Sequence, residues 1–293
     1  MALFQLKSVL LKLIRFGKKG AERPGVEVDG TRYDVSNYYE DWNATFFRKT
    51  SLGKLQKWVD KKINELPIVS NRKRLGSPVA RPGKIICIGL NYADHAKESG
   101  MAVPTEPVVF TKASNTIAGP YDPVSLPRNS QKTDWEVELG VVLQRDALYL
   151  KNERSAEKCI AGYTIVNDLS EREFQLERGG QWVKGKSCPG FSPTGPYLVP
   201  KSAVKSVNKL AMQLSVNKKI RQNGSTRTMI FQPAYIVWYL SQFMELEAGD
   251  LISTGTPPGV GMGMNPPRYL KAGDVVRLEI EGLGYQKQRV VKS

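Results

Sequence analysis

The chain has 293 residues, 41% of them hydrophobic and 24% charged, a globular composition that fits one large domain or a small one beside a large one. No run of about 18 apolar residues occurs, so no membrane partner is expected. The net charge of +15 raises nucleic acid as a partner, but residues 1–80, where no chemistry is visible, hold 16 Lys plus Arg against 8 Asp plus Glu. The one dense basic run, Arg72-Lys73-Arg74, carries no interleaved aromatics. A solvated basic surface that attracts anionic substrates is therefore expected, and nucleic acid is not. Cys87, Cys159 and Cys188 form no CxxC pair, which points to a reducing compartment and a cytoplasmic protein.

The N-terminal stretch MALFQLKSVLLKLIRFGKKG is broken by Lys7 and Lys12 and lacks a small-residue cleavage site, so a secretory signal is not expected. Lys12–Phe16 and Gly25–Val28 predict short strands and Leu52–Leu66 a helix, together a small N-terminal α/β domain over residues 1–75. Ile68 to Gly83 is polar, basic and punctuated by Pro and Gly, the composition of a linker. Residues 80–293 are richer in Gly, Pro and β-branched residues and predict a mainly β (α+β) domain. There Lys84–Gly89 reads as an apolar strand, and Asn91–Ser99 as a short helix or lid closed by Gly100. Ala248-Gly249-Asp250 and Ala272-Gly273-Asp274 read as turns feeding strands. Pro233–Leu246 reads as a helix with Ile236, Leu240 and Phe243 on one face.

The most informative strand is Thr133–Leu143. Trp135, Val137, Leu139, Val141 and Leu143 alternate, so Glu136 and Glu138 project together from the other face, roughly 7 Å apart. Such a pair can grip one cation, and equally can be the exposed acidic face of a half-wet sheet. A second apolar strand, Ala161–Asn167, ends at Asp168, which suits a cleft or an ordinary turn. Three carboxylates would make a hard, all-oxygen site for Mg²⁺ or Mn²⁺. His95 is the sole histidine, which excludes sites needing two or three imidazoles. If its segment is helical, His95 and Glu98 are neighbours at i, i+3, the arrangement of an oriented general base. Gly185-Lys186-Ser187 lacks the spacing of a phosphate-binding loop. Ser253–Gly261 is a Gly/Pro loop that could hold a carboxylate or be a plain turn.

Six phrases in this order resemble the fumarylacetoacetate hydrolase superfamily over about residues 84–291. They are Gly89–His95, Phe110-Thr111-Lys112, Asp134-Trp135-Glu136-Val137-Glu138, Asn167-Asp168-Leu169-Ser170, Gly185-Lys186-Ser187 and Thr254–Gly261. The resemblance implies a folded-over mixed β-sheet roll and a homodimer. It implies Mg²⁺ or Mn²⁺ on Glu136, Glu138 and Asp168, and catalytic roles for His95, Glu98 and Lys186. It also implies that Arg172, Gln175 and Thr256 bind substrate. Some members carry an additional Asp ligand upstream of the Glu pair, and none is placed here.

Ile14-Arg15-Phe16-Gly17, Gly179–Lys186 and Met262–Pro267 resemble a subset often labelled ureidoglycolate lyase, which includes hydrolases of 2,4-dioxo-3-deoxy sugar acids. Cys188-Pro189-Gly190 departs from that pattern. The implied reaction is cleavage of such an anionic 2-oxo acid, a fuconate or rhamnonate derivative, to pyruvate and lactate in carbohydrate breakdown. The same site could serve a ureidoglycolate lyase, an oxaloacetate decarboxylase, an oxo-acid tautomerase or a dienoate hydratase. A catalytically inactive basic binding protein is the reading from a different class.

Overall fold

The structure is a computed structural model that describes residues 10–98 and 102–293. Its N-terminal part is an antiparallel four-stranded sheet of Leu11–Lys18, Ala21–Val28, Thr31–Asp34 and Ile68–Val69. Two helices, Ala44–Lys49 and Leu52–Lys62, cover it. The second starts at Ser51, whose hydroxyl caps Lys54 N, and buries Leu52, Leu55 and Val59 at i, i+3 and i+7. A single turn of tighter helix, Ile63–Glu65, extends it nearly as far as the predicted end.

The segment 68–83, predicted as a linker, is instead packed. It supplies the strand Ile68–Val69 and buries Leu75, Ser77 and Val79. Arg74 within it bridges Glu22 (2.8 Å) and Asp122 (2.6 Å). Burial opposes the charged forms of these two acids, but Arg74 outweighs it and holds both below the usual carboxylate range. Pro and Gly here mark irregular backbone, not exposure.

The central mixed sheet has six strands in the order Val199–Pro200, Ile160–Asn167, Val137–Leu143, Leu251–Ser253, Ile85–Gly89, Val108–Lys112. Only the Leu251–Ser253 and Ile85–Gly89 pair is parallel. A five-stranded sheet built around Ala211–Val216, Val275–Ile280 and Gly284–Val291 packs against it. Val137, Leu139 and Val141 share one core with Met212, Leu214, Val276 and Leu278. On the opposite face Val142, Ile85 and Leu251 share a core with Leu13, Trp42 and Leu55 of the N-terminal part. The central sheet is thus covered on both sides, and every residue of Val137–Leu143 is buried. The half-wet acidic face that alternation alone allows is excluded. This mainly β, mixed-sheet architecture is the one expected.

The two Ala-Gly-Asp turns lead into Leu251–Ser253 and Val275–Ile280 as predicted. The helix predicted over Pro233–Leu246 stops at Leu240. The Ser241 hydroxyl turns back onto the Trp238 carbonyl at the terminus. Ile236 and Leu240 are buried, but Phe243 lies beyond the helix and is 66% exposed, off the face assigned to it.

Candidate active site

Strand register builds the acidic centre. Val137 faces Asn167 and Glu138 faces Val166 across the antiparallel pair. One step further, Asp168 lies opposite Glu136, and Asp168 N donates to the Glu136 carbonyl at 3.0 Å. Opposed residues project to the same side, and Glu138, two residues along, shares that side with Glu136. Oxygens of Glu136, Glu138 and Asp168 consequently lie within 4.8 Å of one another, all three side chains buried.

Buried like charges need compensation. Glu138 Oε2 accepts the Ser253 hydroxyl (2.5 Å) and Gly255 N (2.9 Å). Burial, then the charges of Asp168 and Glu136, push its carboxyl up to about 8, against the pull of Lys186 and Ser253. Lys186 Nζ donates to Glu136 Oε2 and Asp168 Oδ2, each at 2.8 Å. Burial would lower its pKa, but Asp168 and Glu136 prevail and hold the ammonium above the usual lysine range. Arg172 Nη2 reaches Glu136 Oε1 at 2.5 Å, its Nε reaches Asp134 Oδ2 at 2.9 Å, and its Nη1 donates to Gln175 Oε1 at 3.0 Å. Lys112 Nζ donates to Asp168 and to the Leu169 (3.0 Å) and Phe191 (2.7 Å) carbonyls.

Local backbone explains how Lys186 arrives there. It ends the short helix Val183–Lys186. A Cβ on Gly185 would stand 2.4 Å from the Glu171 carbonyl oxygen and 2.5 Å from Gln175 N. Only glycine lets this helix lie so close to the segment carrying Arg172 and Gln175. Across the cavity, the Gly/Pro loop is pinned by Asp134, which accepts from Gly261 N (2.6 Å) and Met262 N (3.0 Å). The loop in turn holds the short helix Ala93–Glu98, because Gly259 N donates to the Glu98 carboxylate at 3.0 and 3.1 Å. Gly259 itself has φ +105, and a Cβ there would be 1.9 Å from the Arg221 carbonyl oxygen.

A cavity of about 420 Å³ opens over this centre, lined by Glu136, Glu138, Arg172, Gln175, Lys186 and Thr256 together with Ile88, Leu90, Phe110, Leu176, Trp182 and Met262. Six of the nine residues singled out from sequence therefore meet in one cavity wall, and Asp168 lies directly behind through Lys186. Arg172 is committed to carboxylates and to Gln175. The Thr256 hydroxyl donates to the Val137 carbonyl at 2.9 Å and accepts from Gln222 at 2.8 Å. Glu98 sits on the loop. The side chain of His95 falls outside the described residues, as do Ser99 and Gly100 of the expected lid.

Two residues here carried no assigned role. Buried Lys112 neutralises Asp168 from behind, and its signal was the lysine closing the strand phrase Phe110-Thr111-Lys112. Asp134, next to the Glu pair, ties Arg172 to the loop. It does not join the metal-binding group, which among the described residues has three members.

These three acids fit a divalent cation: the donors are hard oxygens, they converge in a buried place, and burial together with their mutual repulsion drives one to hold a proton when no metal neutralises it.

Comparison with known proteins gives the family. The family model described as "Fumarylacetoacetate (FAA) hydrolase C-terminal" matches residues 84–291, and the chain belongs to that family. A Burkholderia multivorans relative, named only provisionally as a hydrolase, is 50% identical over 280 residues, covering 95% of this chain and 98% of its own. The fumarylacetoacetate hydrolase structure from psychrophilic Exiguobacterium antarcticum superposes with TM-score 0.83 at 36% identity, over 97% of this chain and 100% of that one. Maleylpyruvate hydrolase from Sphingobium sp. SYK-6, solved with manganese(II) and pyruvate, gives TM-score 0.80 at 26% identity, over 96% and 99%. A Mycobacterium abscessus structure, described only provisionally as a 2-hydroxyhepta-2,4-diene-1,7-dioate isomerase, gives 0.80 at 33%, over 97% and 99%. The chain is thus a member of a superfamily of hydrolases and isomerases. Among its described residues no helix is long and apolar enough to cross a membrane.

Proposed function

We propose that the protein is a Mg²⁺- or Mn²⁺-dependent hydrolase that cleaves the C3–C4 bond of a 2,4-dioxo acid, releasing pyruvate and a second carboxylic acid. The observation that carries this reading is the convergence of Glu136, Glu138 and Asp168 beneath the cavity with Lys186 between two of them. The manganese and pyruvate held by the Sphingobium maleylpyruvate hydrolase support it. Glu136, Glu138 and Asp168 would hold the ion, which when bound acts as a Lewis acid on the substrate's carbonyl oxygen, worth several kcal/mol.

The remaining work belongs to the chain. Arg172, braced by Asp134, fixes the Glu136 carboxylate in place. The Lys186 ammonium, buried in the wall, can turn a proton toward a substrate oxygen as negative charge develops there. The Gln175 amide nitrogen has no partner among the described residues and can donate to substrate. His95, the sole histidine, is the group assigned to remove a proton from the water that attacks C4. The C3–C4 electron pair then passes to the pyruvate fragment, whose C3 takes up a proton.

The test is a panel of 2,4-dioxo acids with Mg²⁺ or Mn²⁺, coupled to pyruvate detection. Metal-dependent pyruvate release is expected, and His95→Asn should keep pyruvate binding but lose hydrolysis. Unchanged turnover in that variant would remove the general-base assignment. The second reading, an isomerase on the same site, is favoured by the superposed isomerase structure. It requires substrate conversion with no pyruvate formed and no solvent oxygen incorporated.

A further inference from the structure

The cavity wall has two chemistries. Its polar side chains gather at the acidic centre, where Lys186 and Arg172 are bound to carboxylates and Gln175 accepts from Arg172 beside them. The rest of the wall is formed by Leu90, Phe110, Leu176, Trp182 and Met262. Trp182 closes it. Its indole lies against Gly89, where an added Cβ would stand 3.0 Å from Cζ3, and meets the Phe110 ring edge-on with centroids 5.2 Å apart. The glycine is what lets the ring lie on the strand. Beyond this pair is a second cavity of about 500 Å³, which also counts Phe110 and Trp182 among its walls together with Val109 and Val183. Trp182 and Phe110 are a partition between two spaces.

We infer that the site takes acylpyruvates whose acyl end is a short, unbranched alkyl group, and that Trp182, backed by Phe110, sets the length limit. This rests on the hydrolase reading above. With the 2-oxo carboxylate end held at the acidic centre, the acyl end meets carbon on the remaining wall. An alkyl group gains by leaving water there, whereas hydroxyls or a second carboxylate would be stripped of water without partners among the described residues of that wall. The balanced reaction is acylpyruvate plus water to alkanoate plus pyruvate. The water oxygen bonds to C4, the C3–C4 bond breaks with its electron pair on C3, and a proton completes the pyruvate methyl. The sugar acid of the sequence reading, and a dicarboxylate beside it, become competitors in the test.

The test measures kcat/KM with saturating Mn²⁺ for straight-chain 2,4-dioxo acids of increasing length, a 2,4-dioxo-3-deoxy sugar acid and a 2,4-dioxo dicarboxylate. Wild-type protein should favour a short alkyl member over the polar pair by at least about tenfold and lose about tenfold once the chain outgrows the wall. Trp182→Ala should join the two cavities and move the preferred length upward. Because the Trp182 carbonyl also accepts from Lys186 N at 3.0 Å, Trp182→Leu is the companion, keeping bulk near the lysine turn while giving an intermediate shift. A preference for the sugar acid or the dicarboxylate overturns the inference and leaves the hydrolase reading standing. So does a length profile that neither folded variant moves. If no member yields pyruvate, the hydrolase reading falls and takes this inference with it.

Discussion

Gly185→Ala tests how Lys186 is delivered to the acidic centre. The added methyl would lie 2.4 Å from the Glu171 carbonyl oxygen, 2.5 Å from Gln175 N and 2.6 Å from Gln175 Cβ. Ordinary contact begins at 3.4 Å, and the blocking atoms are mainly backbone, which cannot swing aside. The helix Val183–Lys186 must therefore retreat by about 1 Å, and misplacement on that scale costs on the order of 10²-fold in rate. Overpacking of this kind destabilises by about 1–3 kcal/mol, so the variant should still fold. Urea unfolding and pyruvate-coupled kcat, measured on one preparation, separate the two effects. Wild-type kcat in a folded Gly185→Ala protein would refute the claim that close backbone approach positions Lys186.

Glu138→Ala should abolish metal-dependent turnover while circular dichroism stays that of the folded protein, since Glu138 serves the site and not the core. For the metal-free protein, the Glu138 carboxyl is raised from 4.5 to about 8, so the folded state holds a proton that the unfolded chain has released. That preference stabilises fully below about 4.5 and is lost as pH rises through about 8. Thermal melts should accordingly show metal-free protein weakening between about pH 4.5 and 8. Added Mn²⁺, which replaces that proton, should stabilise more strongly at the higher pH. An equal effect of Mn²⁺ at both values would contradict the assignment. Asp134→Asn removes the brace behind Arg172 and one anchor of the Gly/Pro loop. Losses of about 10–100-fold in Mn²⁺ affinity or activity are expected from such a supporting residue, and an unaffected enzyme would show that Arg172 holds Glu136 unaided.

Much of this was readable in the order of residues. Alternation from Trp135 to Leu143 set Glu136 and Glu138 on one face, and the strand ending at Asn167 set Asp168 at an edge. That Asp168 stands opposite Glu136 depends on antiparallel register, a long-range pairing that no local pattern encodes. The same holds for Lys112 and Asp134, whose partners are 56 and 38 residues away. The linker expectation failed because Pro and Gly report backbone irregularity, whereas burial of Leu75 and Val79 is decided by the sheet they pack on. The predicted helix overran because apolar periodicity continues past Ser241, where the chain turns and leaves Phe243 in solvent.

The most direct test of the account is a Mn²⁺ titration of metal-free protein and of Glu136→Ala, Glu138→Ala and Asp168→Ala, followed calorimetrically. One ion per chain is expected for the parent, with binding lost in each variant while its fold is kept. Undiminished binding in any one of the three would contradict the claim that these carboxylates form a single metal site.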